Sequence, residues 1–405
     1  MTRFRRISPV TMARDSVNGR EDHAPHRGGR RRTLAAILAC GALTLAACGS
    51  STADGAGDAD ESVSAGVRSA KATVERFSAD QSAITLPALP AKPPSGLSLS
   101  VIGCPAPACQ VTVKAVSEAA RALDWKVRTT TSQFTPESYI SSFNQALTDN
   151  PKLLTYIGVL PNSTVQAQLK AAKERGIKVV GISPVDAPGP LMPGAYAGAS
   201  EYVAAGRLLA NVVLADAGKP VGTLFVQDPI ADGIFGPEVA MYKKTLTRLC
   251  PRCTTTDLKI STENVGRTVP SQIVSQLQRD STIRYVVVPT DDFLPGVYAA
   301  LQSAGLVDKV KLVGQTPNRQ SLAALRGGQQ FASVSVENST TGWRAVDGLA
   351  RLYMGVALGE CCTAPAGWTQ IFTKDNAPAD DELSPHGTPR VPGDPDAFLK
   401  AWLVQ

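Results

Sequence analysis

The sequence predicts an α/β protein of two lobes, each built on a parallel sheet. From Leu97 onward, short and mainly apolar runs alternate with amphipathic stretches. Apolar runs bounded by helices read as strands covered on both faces, the pattern of parallel sheets. The alternation continues for about 260 residues, more than one hydrophobic core comfortably serves. The same punctuation also recurs in both halves. Glu174-Arg175-Gly176-Ile177 precedes Lys178-Val179-Val180, and Ser303-Ala304-Gly305-Leu306 precedes Lys311-Leu312-Val313. Each is a helix end, a glycine at the C-cap, then a strand.

The strand-like runs are 97–102, 126–130, 154–159, 178–182, 222–226, 256–260, 285–288 and 311–313. Helical periodicity fills the gaps at 111–123, 136–148, 164–174, 203–215, 237–249, 269–279 and 295–303. The segment before the first run has a different character. Arg27, Arg30, Arg31 and Arg32 precede Thr33 to Ala47, a stretch without charge. Its length suits the apolar region of a signal peptide and is too short to span a bilayer. The stretch ends in Leu45-Ala46-Ala47-Cys48-Gly49, which resembles the bacterial lipobox. This implies cleavage before Cys48 and lipid on its thiol, holding the chain on the outer face of the cell membrane. Residues 1–47 are thus expected to be a lipoprotein signal peptide, translated from Met1 or Met12. Residues 48–96 are expected to be a flexible tether and spacer. They begin with a Ser/Ala/Gly/Asp-rich stretch, carry a short helical pattern at 63–77, and end in a proline-stiffened segment at 86–94.

Charge follows the same division. Residues 1–47 hold nine Arg against three acidic residues, a net of +6, which equals the net charge of the whole chain. The remainder is formally neutral, so the basic balance gives no support to nucleic-acid binding. Two of the three histidines, His23 and His26, also lie in this segment. His386 alone follows it, which argues against histidine-based triads and multi-histidine metal sites. No metal or cofactor is expected. The six cysteines past Cys48 form close-spaced pairs, Cys104 with Cys109, Cys250 with Cys253, and Cys361 with Cys362. Local disulfides are the simplest reading for an exported chain, although six cysteines allow fifteen connectivities. For Cys361-Cys362, a vicinal bridge and two longer bridges both remain open.

Several segments in order resemble the type I periplasmic-binding-protein family, and more narrowly the sugar-binding lipoproteins of ABC importers. They are 162–180, 198–207, 289–305, 312–336, 371–376 and 398–402. The resemblance implies two Rossmann-like lobes with parallel sheets, joined by a multi-crossing hinge of three strands of chain. It places lobe 1 at 97–196 plus about 338–360, and lobe 2 at 197–337 plus about 366–405. It also implies a monomer that binds a small-molecule ligand between the lobes for an ABC importer permease. The alternative is a sensory lipoprotein that reports ligand occupancy to a membrane receptor without transport.

Ligands of parallel α/β sheets sit beyond the carboxyl ends of the strands. The corresponding loops name the candidate binding residues. In the first lobe they are Pro105, Phe134, Asn162, Ser183 and Asp186. In the second they are Asp228, Phe235, Thr290, Asp291, Gln315 and Asn318, with Glu337 at the hinge. Phe134 has the alternative of packing into the core, and Asn162 that of capping the next helix. The sugar binders usually carry an Arg where this chain has Gly233, an Asp near Thr316, and a Gln at Val336. Those charged groups ordinarily bond several hydroxyls, so their absence points to a less hydroxylated or more apolar ligand. No G-x-S-x-G elbow, P-loop or paired CxxC is present, and an enzyme is not expected. Glycoside hydrolysis would need two facing carboxylates, such as Asp186 and Asp291, at a set separation across the cleft.

Overall fold

In the computed structural model, which describes residues 54–133, 135–158, 160–358 and 368–404, two sheets organise the chain. The first has the order β2-β1-β3-β4-β5 and is parallel throughout. Its strands are β1 (Ser98–Gly103), β2 (Lys126–Thr131), β3 (Leu153–Ile157), β4 (Lys178–Ile182) and β5 (Gly194–Tyr196). The second has the order β11-β10-β9-β8-β6-β7. It contains β6 (Gly222–Gln227), β7 (Thr254–Lys259), β8 (Ile283–Val287), β9 (Lys311–Gln315), β10 (Ala332–Val334) and β11 (Ile371–Phe372). Only β11 runs antiparallel to its neighbour. The apolar strands β1, β3 and β4 lie inside their sheet with nearly every residue buried. The threonine-rich strands β2 and β7 sit at edges, half in water, where polar side chains also discourage further strand pairing.

The helices cover these sheets, all but the last of the following where the periodicity placed them. They are α2 (Pro107–Ala122), α3 (Pro136–Thr148), α4 (Gln166–Glu174), α5 (Ala199–Ala217), α6 (Asp232–Leu249), α7 (Val269–Arg279), α8 (Val297–Ser303) and α9 (Arg319–Arg326). Gly176 and Gly305, past the ends of α4 and α8, have φ values of +71° and +66°. A side chain would be strained there, which is why glycine ends both helices. The chain passes from β5 to α5 on the second sheet, then from β10 back to α10 (Asn338–Tyr353) on the first. It returns to the second sheet at β11.

The two ends of the described chain depart from expectation. The segment expected as a flexible tether carries a helix, α1 (Asp54–Ser78), packed on α5 and α6. Val63, Val67 and Ala70 are buried on one face, and Val74 and Phe77 continue the stripe. A Cβ at Gly66 would overlap the Leu249 carbonyl, so the glycine lets α1 lie directly on α6. The proline-containing segment that follows is equally fixed. Ile84 and Leu89 are buried in the first core, and Leu89 N–H donates to the Ala401 carbonyl at 2.8 Å.

The C-terminal helix α11 (Asp396–Ala401), expected with the second lobe, packs into the first. Trp402 stacks on Trp343 of α10 with ring centroids 5.6 Å apart. Its indole N–H donates to Asp347 at 2.8 Å. Large aromatic burial decides the placement, because α11 is too short to be stable on its own. Among the described residues no helix is long and apolar enough to cross a membrane. The apolar stretch 33–47 and Cys48 lie outside the described residues, as do Phe134, Cys361 and Cys362.

Candidate functional site

Parallel strands gather their carboxyl ends at one edge of each sheet, and the loops leaving those edges meet around a cavity of about 380 Å³. From the first sheet, Ile157 and Ile182 follow β3 and β4. Cys104, Cys109 and the first turn of α2 follow β1. From the second sheet come Ile234 and Phe235 after β6, Thr262 and Val265 after β7, and Thr290, Asp292 and Phe293 after β8. Tyr202 and Asn338, both just past a crossing between the lobes, also line it.

The disulfide shapes one wall. Cys104 and Cys109 are bridged across a Cα separation of 5.5 Å, which folds the loop back onto the start of α2. Cys250 and Cys253 are bridged as well, past the end of α6 and away from the cavity. Both match the expected local pairing. A bridge over so short a loop constrains geometry more than it adds stability. Helix α2 has no side-chain cap of its own. Its Ala108 N–H instead donates to the Asp292 carboxylate of the other lobe at 3.2 Å. The free N–H groups and dipole of a helix start favour an anion there. Asn318 Nδ2 holds the other oxygen of Asp292 at 3.2 Å. Burial raises the Asp292 pKa above the ordinary carboxylate value, and the bonds from Ala108 and Asn318 oppose that rise.

Other contacts close the lobes on one another. A Cβ at Gly233 would come within 2.9 Å of Val185 from the first lobe, so only a hydrogen fits between them comfortably. This is the position at which the sugar binders usually carry Arg. Ser183 has φ +46°, a conformation that costs a non-glycine residue strain, and its Oγ lies 3.3 Å from the Tyr202 hydroxyl. Tyr202, Phe235 and Phe293 form a chain of edge-to-face rings, with centroid separations of 5.6 and 6.4 Å.

Of the residues expected at the site, Ser183, Phe235 and Thr290 line the cavity. Of the others, Phe134 lies outside the described residues, Pro105 and Glu337 are off the cavity wall, and the rest are drawn elsewhere by specific bonds. Pro105 is exposed, while its neighbours Cys104 and Ala106 line the cavity. Asn162 accepts from Tyr156 and donates its N–H to Asp186, both at 2.6 Å, so neither side chain lines the cavity and Asn162 is not the helix cap. Asp228 accepts from Ile230 N–H at 3.0 Å, and from the N–H and hydroxyl of Thr262 at 2.7 and 2.6 Å. It pins the loops after β6 and β7 together.

Asp291 is buried inside the second lobe, bonded by Ser333 at 2.7 Å and Gln330 at 2.9 Å. Burial lifts its pKa to about 7. Asp186 and Asp291 are each hydrogen-bonded within their own lobe, and neither lines the cavity. Gln315 is fully buried, its amide directed at the Glu238 carboxyl and the Pro289 carbonyl. Burial raises the Glu238 pKa well above normal. Asn318 caps α9 and positions Asp292. Glu337 lies at the hinge with Oε2 buried and unpartnered, and burial raises its pKa strongly. Tyr202, Thr262, Val265 and Ile234 were not expected. Tyr202 carried one usable signal, an aromatic in the first turn of the helix that enters the second lobe.

Two mostly parallel α/β sheets, with a cavity between their facing carboxyl edges and a hinge crossed several times, define a two-lobed binding protein of periplasmic type I architecture. The chain belongs to the periplasmic binding protein domain family, which it matches over residues 106–356. This family consists of extracytoplasmic solute-binding proteins.

Solved structures share the fold. One is the 5-methylthioribose transporter solute binding protein from Thermotoga lettingae in complex with 5-methylthioribose. It has 14% identity and a TM-score of 0.63, covering 77% of this chain and 93% of that one. Another is an ABC transporter solute binding protein from Mycobacterium smegmatis with bound glycerol. It has 16% identity and a TM-score of 0.62, covering 73% and 100%. A third is GanP, a glucose-galactose binding protein from Geobacillus stearothermophilus, with 14% identity, a TM-score of 0.61 and coverages of 70% and 100%. No curated protein matches the sequence.

Proposed function

We propose that this chain captures a small uncharged molecule between its lobes as a monomer and presents it to the permease of an ABC importer. Lipid on Cys48 holds it on the outer face of the cell membrane. The observation that carries the reading is the cavity, whose walls come from both lobes and which is braced across the gap by Ala108 N–H and Asp292. A site assembled from two lobes depends on their relative position, so occupancy becomes a shape change that a permease can read. Neighbours of this fold crystallised with glycerol and 5-methylthioribose, both small and uncharged, support the ligand size. The motif Leu45-Ala46-Ala47-Cys48 supports the anchor.

The test is thermal unfolding of residues 49–405 against fractionated growth medium. A ligand at a hundredfold its Kd should add about 2.7 kcal/mol. A folded protein that no fraction stabilises would refute binding. The anchor is tested separately with an alkyne-labelled fatty acid fed to cells making the full chain. Label on the wild type but not on Cys48→Ala is expected, and an unlabelled wild type would refute the anchor.

A further inference from the structure

The chemistry of the cavity wall narrows the ligand further, on the footing that the cleft is the binding site. Most of the lining is apolar. Ile157 and Ile182 of the first lobe face a set from the second that includes Ile234, Phe235, Val265 and Phe293. The polar side chains among the lining residues are few, and some are already engaged. The Thr112 hydroxyl donates to the Ala108 carbonyl at 3.1 Å, and that of Thr262 to Asp228 at 2.6 Å. Three groups keep hydrogen-bonding capacity for a ligand. One is the Ser183–Tyr202 hydroxyl pair, another is the Thr290 hydroxyl, which accepts from Asp292 N–H and still has its own proton to donate, and the third is the Asn338 carboxamide. Among the described lining residues there is no Arg, Lys or His. Asp292 contributes a carboxylate, but its charge already meets the start of α2 and the Asn318 amide.

We infer that the ligand is a neutral, compact and mainly apolar molecule, a ring or branched hydrocarbon bearing only a few hydroxyl or carbonyl oxygens. A carboxylate or phosphate would be desolvated here without a cationic partner. A sugar, with a hydroxyl on almost every ring carbon, would bury hydroxyls that find no partner. Each such group weakens binding on the order of tenfold to a hundredfold. Apolar area, by contrast, is matched by the isoleucines and by the three-ring chain of Tyr202, Phe235 and Phe293. The volume suits one ring with a short substituent, at the lower end of the roughly 300–1,000 Å³ common for ligand pockets.

The experiment uses one scaffold in several charge states, 2-phenylethanol, phenylacetate and 2-phenylethylamine, with D-glucose and D-ribose beside them. Binding to residues 49–405 is read by saturation-transfer NMR and thermal shift. The alcohol should bind at least tenfold more tightly than either ion or either sugar, and Phe235→Ser should abolish that preference while leaving the ligand-free melting temperature within a few degrees. Tighter binding of a sugar, the acid or the amine would overturn the ligand class while leaving the cleft as the binding site. Binding by none of the five, together with no stabilisation by any medium fraction, would overturn both readings.

Discussion

Replacing Asp292 with alanine isolates the contact that joins the lobes. Its Oδ2 accepts from Ala108 N–H at 3.2 Å, and its Oδ1 accepts from Asn318 Nδ2 at the same distance. A hydrogen bond to a charged group contributes about 1.5–3 kcal/mol net. The favourable end of a helix dipole adds about 0.3–1 kcal/mol. Desolvation offsets part of this, as the raised Asp292 pKa shows. Taking about 1.5–3 kcal/mol as the local effect, the Ala108 amide should open to solvent roughly ten- to a hundredfold more often in Asp292→Ala. Hydrogen–deuterium exchange resolved by overlapping peptides across Ala106–Thr112 measures this directly. Gln110 N–H donates to the Ala106 carbonyl at 3.1 Å within the same lobe and serves as the internal control. Equal exchange at Ala108 in both proteins would show that the interlobe bond does not hold, and the reasoning would fail.

Two further outcomes follow from the burial pattern. Trp402→Ala removes a fully buried indole that stacks on Trp343 and bonds Asp347. A loss of about 3–5 kcal/mol is expected, lowering the melting temperature by roughly 10 °C. A shift of only a degree or two would mean that the C-terminal helix is not part of the first core. The Asp291 carboxyl, lifted by burial to about 7 from its ordinary 3.8, gives a pH signature. Between those values the folded protein keeps a proton that the unfolded chain releases, so this group's contribution to stability falls as pH rises from about 4 to about 7 and is level above that. Asp291→Asn should flatten that part of the stability curve measured by urea unfolding. An unchanged slope would place the titration elsewhere.

The strands and helices were legible because their periods are set by burial on one face or both. The stripe Val63, Val67, Ala70, Val74 and Phe77 shows even the N-terminal helix. What the period leaves open is the surface that receives the stripe. Nothing local says that α1 lies on α5 and α6, or that Trp402 reaches back to Trp343, because those contacts join residues far apart in sequence. Strand order is hidden for the same reason. Only the finished sheet puts β1 between β2 and β3.

The site divides along a physical line. The rule that ligands lie beyond strand ends points to loops that do border the cavity, and Ser183, Phe235 and Thr290 line it. The rule does not say which side chains in a loop turn inward, and most of the carboxylates it names turn away from the cavity. A loop returning from a sheet edge carries backbone N–H groups without ladder partners, and a nearby carboxylate is the strongest acceptor available to them. Asp186 is taken in this way by Asn162 N–H, and Asp228 by Ile230 and Thr262 N–H. Asp292 obeys the same chemistry, except that the N–H it takes belongs to the opposite lobe. The acids of these loops therefore fix the walls and close them, and what remains of the cavity lining is chiefly the isoleucines and aromatic rings that no N–H competes for.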